Sequence, residues 1–356
     1  MVVSHIAHLG AVLSLYALIR DLLPAQPERK RHVAFVTACL HVVSPAALFL
    51  SAPYGESTFA LLSFLGIWSY VRAVQQRYAT VVQSPLVEMA WTTAAGLCFG
   101  LSATMRSNGI SWGIVFAWDA LTSLYRLLSS RQPAELGRLT GIAFGGTLTG
   151  LGFIAPQIVA YQEYCTGGNS RPWCDGTLPS IYSWVQDHYW DVGFLKYWTL
   201  SNLPLFLLAA PMLLLLLDTG YSALHHSRAI LLAVNGEETP SQRNSADHQA
   251  QVRIFQVVME RLALPQLLIA VLAFTSFHVQ IVNRISSGYP VWYLLLAIAM
   301  SDKSPSLACG HSSAEHYRPL RMLGSFGGKA KEWVVRAMII YAIVQGGLYA
   351  SFLPPA

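Results

Sequence analysis

The feature that leaves this chain least freedom is a succession of apolar stretches, each near the length a helix needs to cross the hydrocarbon of a bilayer, about 20 residues. They fall near residues 4–20, 33–52, 57–76, 86–105, 109–128, 139–160, 199–217, 262–282, 289–301 and 333–351. In lipid a backbone has to satisfy its own hydrogen bonds, and continuous apolar runs of this length predict helices. The expected fold is an all-α polytopic membrane protein of about ten helices, a single multi-pass domain over 1–356. The stretch 289–301 is short, which predicts a re-entrant helix or one that packs on its neighbours. Composition agrees: 54% hydrophobic, 12% charged and a mean hydropathy of +0.43 fall outside the make-up of an ordinary soluble domain.

The net charge of +5 does not point to nucleic acid, because the basic residues are scattered in short connections rather than gathered on one stripe. They orient the bundle instead. Glu28-Arg29-Lys30-Arg31, Arg72 with Arg77, Arg126 with Arg131 and Arg138, and Lys303 to Lys331 fall in alternate loops, which the positive-inside rule makes cytoplasmic. The turn at 53–56, the turn at 106–108, the long segment 161–198 and the region 280–289 then share the opposite, lumenal face, and both chain ends fall there too. The polar stretches 218–261 and 302–332 read as cytoplasmic loops. The first residues lack a basic leader region, and the first apolar run closes on Arg20-Asp21, not on a cleavage site.

Polar groups with a claim to function collect on the lumenal side. Between two apolar runs, Tyr54-Gly55-Glu56-Ser57-Thr58 places a carboxylate at a membrane border, where it is costly, so a site or a helix cap is expected. Arg106-Ser107-Asn108 stands at a second junction. A guanidinium there suits phosphate, or it snorkels to lipid head groups. The run from His278 through Gln280, Asn283 and Arg284 predicts one polar stripe on a helix face, with the histidine as a candidate acid or base. The aromatic segment 161–198 suits sugar binding or an interfacial belt. Within it Cys165 and Cys174 are near enough to close a short loop in an oxidising compartment; no second ligand pair supports metal there, and Cys309 with His311 read as ordinary loop residues. Glycines four apart, Gly96 and Gly100, Gly109 and Gly113, Gly141 and Gly145, Gly146 and Gly150, predict close helix packing within the bundle, or a dimerisation face. No P-loop, nucleophile elbow or zinc-protease motif occurs.

These elements, in this order, resemble the second mannosyltransferase family of GPI-anchor assembly. The resemblance rests on Ser44 to Phe64, Arg106-Ser107-Asn108-Gly109, Pro156-Gln157 through Tyr161 and Tyr164-Cys165, Arg171-Pro172-Trp173-Cys174, and Pro179-Ser180-Ile181-Tyr182. It continues at His278 to Ile281, Asn283-Arg284, Pro290-Val291-Trp292-Tyr293, Gln345-Gly346-Gly347 and Phe352-Leu353-Pro354-Pro355. It implies a GT-C glycosyltransferase of the endoplasmic reticulum membrane. Such an enzyme would take mannose from dolichyl phosphate mannose, without a further cofactor, and add it in α-1,6 linkage to a mannosyl-glucosaminyl-phosphatidylinositol acceptor. A β-linked donor and an α product imply inversion, with a carboxylate taking the acceptor proton.

On this reading Glu56 is the candidate catalytic residue. Tyr54, Arg106, Asn108, Gln157, Tyr161, His278, Gln280, Asn283, Arg284 and Tyr293 are candidates for binding the two glycolipids. An accessory membrane subunit is a further candidate partner. The family pattern also includes, before the position of Met1, a membrane helix and a lumenal loop with an essential Trp-Asp pair. The resemblance thus implies that this chain lacks that part, and Trp118-Asp119, at a cytoplasmic end, is no substitute. Two alternatives stay open: an inactive fragment or partner subunit of that enzyme, and a polytopic transporter, although no internal repeat supports the latter.

Overall fold

Proline and serine mark where several helices begin. Pro27 and Pro85 sit in first turns, where a missing N–H costs nothing, and the Ser84 hydroxyl accepts from the Val87 amide. The computed structural model describes residues 1–80, 83–131, 134–166, 171–235, 245–301 and 330–351. Its helices are α1 Val2–Leu22, α2 Pro27–Val42, α3 Ala47–Ser51, α4 Glu56–Arg77, α5 Pro85–Met105, α6 Gly113–Ser130 and α7 Ala134–Cys165. After these come α8 Ile181–His188, α9 Leu203–His225, α10 Ser227–Asn235, α11 Ala246–Thr275, α12 Val282–Ile285, α13 Pro290–Ser301 and α14 Ala330–Ala350. No strand occurs among the described residues.

The all-α membrane architecture is as expected, with some boundaries redrawn. Among the described residues seven stretches are long and apolar enough to cross a membrane: α1, α4, α5, α7, Leu200–His225, α11, and α14 from Glu332. The run 33–52 is two helices, because Ser44-Pro45 breaks it. The run 262–282 stops as a helix at Thr275, and a tight 3-10 turn follows at Val279–Ile281. The stretch 218–261 is largely helical, being occupied by the end of α9, α10 and the first half of α11. The loop expected at 302–332, with Cys309 and His311, lies outside the described residues except for its last three positions, which begin α14.

Packing centres on α13. Val291 to Ala299 are all buried, so the short helix sits inside the protein against α2, α9 and α11. Helices α5 and α7 touch through glycine: a Cβ on Gly96 would lie 2.5 Å from the Gly145 carbonyl, and side chains at Gly100 or Gly152 would collide with the opposing backbone. Gly109 presses instead on the end of α5, and Gly146 and Gly150 meet no other helix's backbone.

At the C-terminal end of α4 a buried ion cluster ties five helices. Arg77 bonds Glu88 at 2.9 Å and Asp119 at 3.3 Å; Arg261 bonds Asp119 at 2.7 Å; Arg138 bonds Glu135 at 2.7 Å and Glu88 at 3.3 Å. The Tyr70 hydroxyl donates to Asp119 at 2.9 Å. Three arginines thus face three buried carboxylates, with the half-exposed Glu260 3.3 Å from Arg261 at the edge, and Asp119 is consumed in holding α4, α6 and α11 together.

Candidate functional site

The other end of α4 is built differently. After α3 the chain turns through Pro53-Tyr54-Gly55, where any Cβ on Gly55 would stand 3.2 Å from the Met105 carbonyl. That approach brings the start of α4 against the end of α5. Glu56 is the first residue of α4 and fully buried. Neither it nor Ser57 makes a side-chain cap, so the capping alternative does not hold.

One oxygen of Glu56 collects two cations. Arg106, at the extended residue that ends α5, donates from Nη1 to Oε1 at 2.5 Å. Arg284, on α12, donates to the same oxygen from Nε at 2.9 Å and from Nη2 at 2.6 Å. The other oxygen, Oε2, is buried without a hydrogen-bond partner. The Arg284 guanidinium also lies 4.1 Å from the Phe49 ring centre and 5.0 Å from that of Tyr54, a cation–π seat. Burial pulls the Arg106 guanidinium below its usual arginine value, and the Arg284 charge adds to that while Glu56 opposes it. Two cations sharing one carboxylate leave a buried positive charge that an anion would neutralise.

Arg284 stands on a short irregular segment that is held from behind. Trp292 Nε1 donates to the Ser286 carbonyl at 3.1 Å, the Tyr293 hydroxyl donates to that of Ser287 at 3.5 Å, and a side chain on Gly288 would collide with Phe59. Tyr293 is paired in turn with His41 Nδ1 at 3.1 Å. Gln266, fully buried in α11, accepts from the Trp292 amide at 3.2 Å and donates to the Leu216 carbonyl and Thr219 hydroxyl, both at 2.9 Å. Gln266, Thr219 and His41 were missed by the sequence reading; Gln266 and His41 are polar side chains in apolar stretches, the signal that could have found them, whereas Thr219 fell in a stretch read as a polar loop.

The expected residues separate into groups. Glu56, Arg106, Arg284 and Tyr54 come together. Asn108 borders them and donates to the Tyr289 hydroxyl at 3.3 Å; Asn283, on α12 beside Arg284, is buried. Ser107, next to Arg106, donates to the Tyr182 hydroxyl at 2.7 Å. His278 and Gln280 do not extend this group, which corrects the single stripe. The helix ends before them, His278 is extended, and both turn to the aromatic segment: His278 Nε2 pairs with the Trp190 carbonyl at 2.6 Å, and Gln280 accepts from the Tyr197 hydroxyl at 3.1 Å. Tyr293 lies in the interior as a prop for Arg284 and not on a cavity wall. The Gln157 carbonyl is engaged by the Ser180 hydroxyl and the Tyr182 amide, each at 3.1 Å. Tyr161 packs edge-on against Trp173.

Cys165 and Cys174 form a disulfide at the end of α7 remote from Glu135 and Arg138. The links from Gln157 and Ser107 to 180–182 put that disulfide at the Glu56 end of the bundle. No cluster of three metal-binding side chains occurs among the described residues.

A family model described as mannosyltransferase (PIG-V) matches residues 1–356. The GPI mannosyltransferase 2 of Gibberella zeae is 40% identical over 99% of this chain and 73% of its own length. That of Aspergillus oryzae is 39% identical, with the same shares covered. That of Yarrowia lipolytica is 30% identical over 99% of this chain and 74% of its own. No solved structure matches the chain.

Proposed function

The chain belongs to the PIG-V mannosyltransferase family, and from that membership we propose that it adds the second mannose during GPI-anchor assembly. It is a multi-pass membrane glycosyltransferase. The proposed donor is dolichyl phosphate mannose and the acceptor the mannosyl-glucosaminyl-phosphatidylinositol intermediate, joined in α-1,6 linkage at the lumenal face of the endoplasmic reticulum. The Cys165–Cys174 disulfide supports that sidedness, since such bonds persist in oxidising compartments.

The observation that carries the reading is the convergence of Arg106 and Arg284 on a single oxygen of Glu56. The donor phosphodiester bears one negative charge, and the departing dolichyl phosphate bears up to two. A fixed surplus of positive charge therefore favours the leaving state over the bound substrate, and lowers the barrier. The acceptor hydroxyl oxygen attacks mannose C1 from the face opposite the phosphate, the C1–O bond breaks with inversion, and the hydroxyl proton passes to a carboxylate. Glu56 acts from the phosphate side: its Oε1 aligns the two arginines that receive the leaving phosphate, and the proton-accepting carboxylate belongs to the opposite face of the sugar.

The test is mannose transfer in membranes from cells lacking the endogenous second mannosyltransferase. Product carrying one further α-1,6-mannose is expected when this chain is supplied. Its absence from membranes that contain the inserted chain would sink the assignment.

A further inference from the structure

Glu56 is sealed, and the Arg106 and Arg284 side chains are only 17% and 20% exposed. A lipid-linked sugar phosphate can reach them only if one wall gives way. Around the site, α4 has 67% of its spanning window buried and α11 61%, against 11% for α14. Among the described residues α14 packs mainly on α3 and α13. It is the wall whose displacement disrupts least.

The face that α14 turns inward is polar. Tyr341, Gln345 and Tyr349 recur every four residues and share one side, while Ile340, Ile343 and Val344 are exposed on the other. Tyr341 lies beside the Asn283 side chain and near Arg284. Gln345 is buried, and the Tyr349 ring centre lies 6.2 Å from that of Tyr54, the ring that seats Arg284. Gly346 and Gly347 follow Gln345 directly, with Gly347 on the exposed side. A Cβ on either would touch nothing within 4 Å, so packing does not require them. Glycine is unfavourable against alanine in a helix interior, and a pair of such residues is where helices bend.

We propose that α14 is the bilayer-side gate of the anion site, bending at Gly346-Gly347 to admit the lipid-linked mannose donor and gripping its polar head through Tyr341, Gln345 and Tyr349. The hydroxyls and the amide pair with sugar hydroxyls, the rings cover sugar C–H faces, and the isoprenoid chain stays in the bilayer beside Ile340 and Ile343. This rests on the reading that Arg106 and Arg284 hold the donor phosphate.

The experiment uses the full chain in membranes, with a short-chain polyprenyl phosphate mannose as the probe. Tyr341→Phe and Gln345→Leu should each raise the donor KM about tenfold and leave the acceptor KM within about twofold. Gly346→Ala combined with Gly347→Ala should slow transfer about tenfold at undiminished abundance. A benzophenone amino acid at position 349 should capture radiolabelled donor, and unlabelled donor should compete that capture away. Unchanged donor KM in both side-chain variants, or capture indifferent to competition, overturns the gate. If Arg284→Gln abolishes donor binding in the same membranes, the anion site survives that failure; if Arg284→Gln binds donor normally, site and gate fall together.

Discussion

Glu56 and Arg77 stand at the two ends of α4, about 32 Å apart by helical rise, and each is the hub of a buried ion cluster. That spacing is close to the thickness of a bilayer core, about 30 Å. The hubs differ in balance. Around Arg77 three arginines meet three buried carboxylates, with the half-exposed Glu260 at the edge, whereas around Glu56 two arginines share one. A balanced cluster fastens helices; an unbalanced one invites a ligand of the missing sign.

Glu56→Gln retains size and removes the charge that holds both arginines. Transfer should fall about a hundredfold or more while the protein still inserts, as measured by product formation per inserted chain. Charge reversal with lysine should abolish it. Unchanged transfer in either variant would take Glu56 out of the site and leave the family membership untouched.

Arg106→Lys and Arg284→Lys preserve charge but lose the planar fork that matches two phosphate oxygens. Each should weaken donor use about tenfold, visible as a raised donor KM with little change for the acceptor. Equal effects on both substrates would point to general damage.

Asp119→Asn takes a buried carboxylate from both Arg77 and Arg261, leaving Arg77 with Glu88 and Arg261 with the half-exposed Glu260. A loss of about 3–5 kcal/mol is expected, read as a lower thermal midpoint and lower abundance. The surviving molecules should keep their donor KM. A changed donor KM would give Asp119 a part in the chemistry.

Cys165 and Cys174 should resist maleimide until reduced. In sealed microsomes an impermeant maleimide should then label them only after the vesicles are opened. Labelling of sealed, cytoplasm-facing-out vesicles would reverse the orientation. Replacing both by serine frees a loop of nine residues' separation, which should cost about 2–3 kcal/mol.

Hydropathy made the helical class legible, and it made Glu56 and Arg106 conspicuous because charge at a membrane border is expensive. It did not show that the helix ends at Thr275, since an apolar run looks the same whether its backbone is regular or broken. The face shared by His278, Gln280 and Arg284 therefore dissolved. Gln266 illustrates the other limit: its three partners lie 26 to 50 residues away, and no local pattern names them. The Tyr341, Gln345 and Tyr349 spacing was present in the sequence, but it acquired meaning only once α14 was seen beside Arg284.

At 32 residues α7 is about 48 Å long. To fit within about 30 Å of hydrocarbon it would need a tilt near 50°, beyond the range of about 0–40° that spanning helices adopt. Part of it therefore stands in the head-group and water layers. The length that carries Gln157 and the disulfide works as a mast for the strap that Tyr182 belongs to, which Gln157 and Ser107 tie back to the bundle.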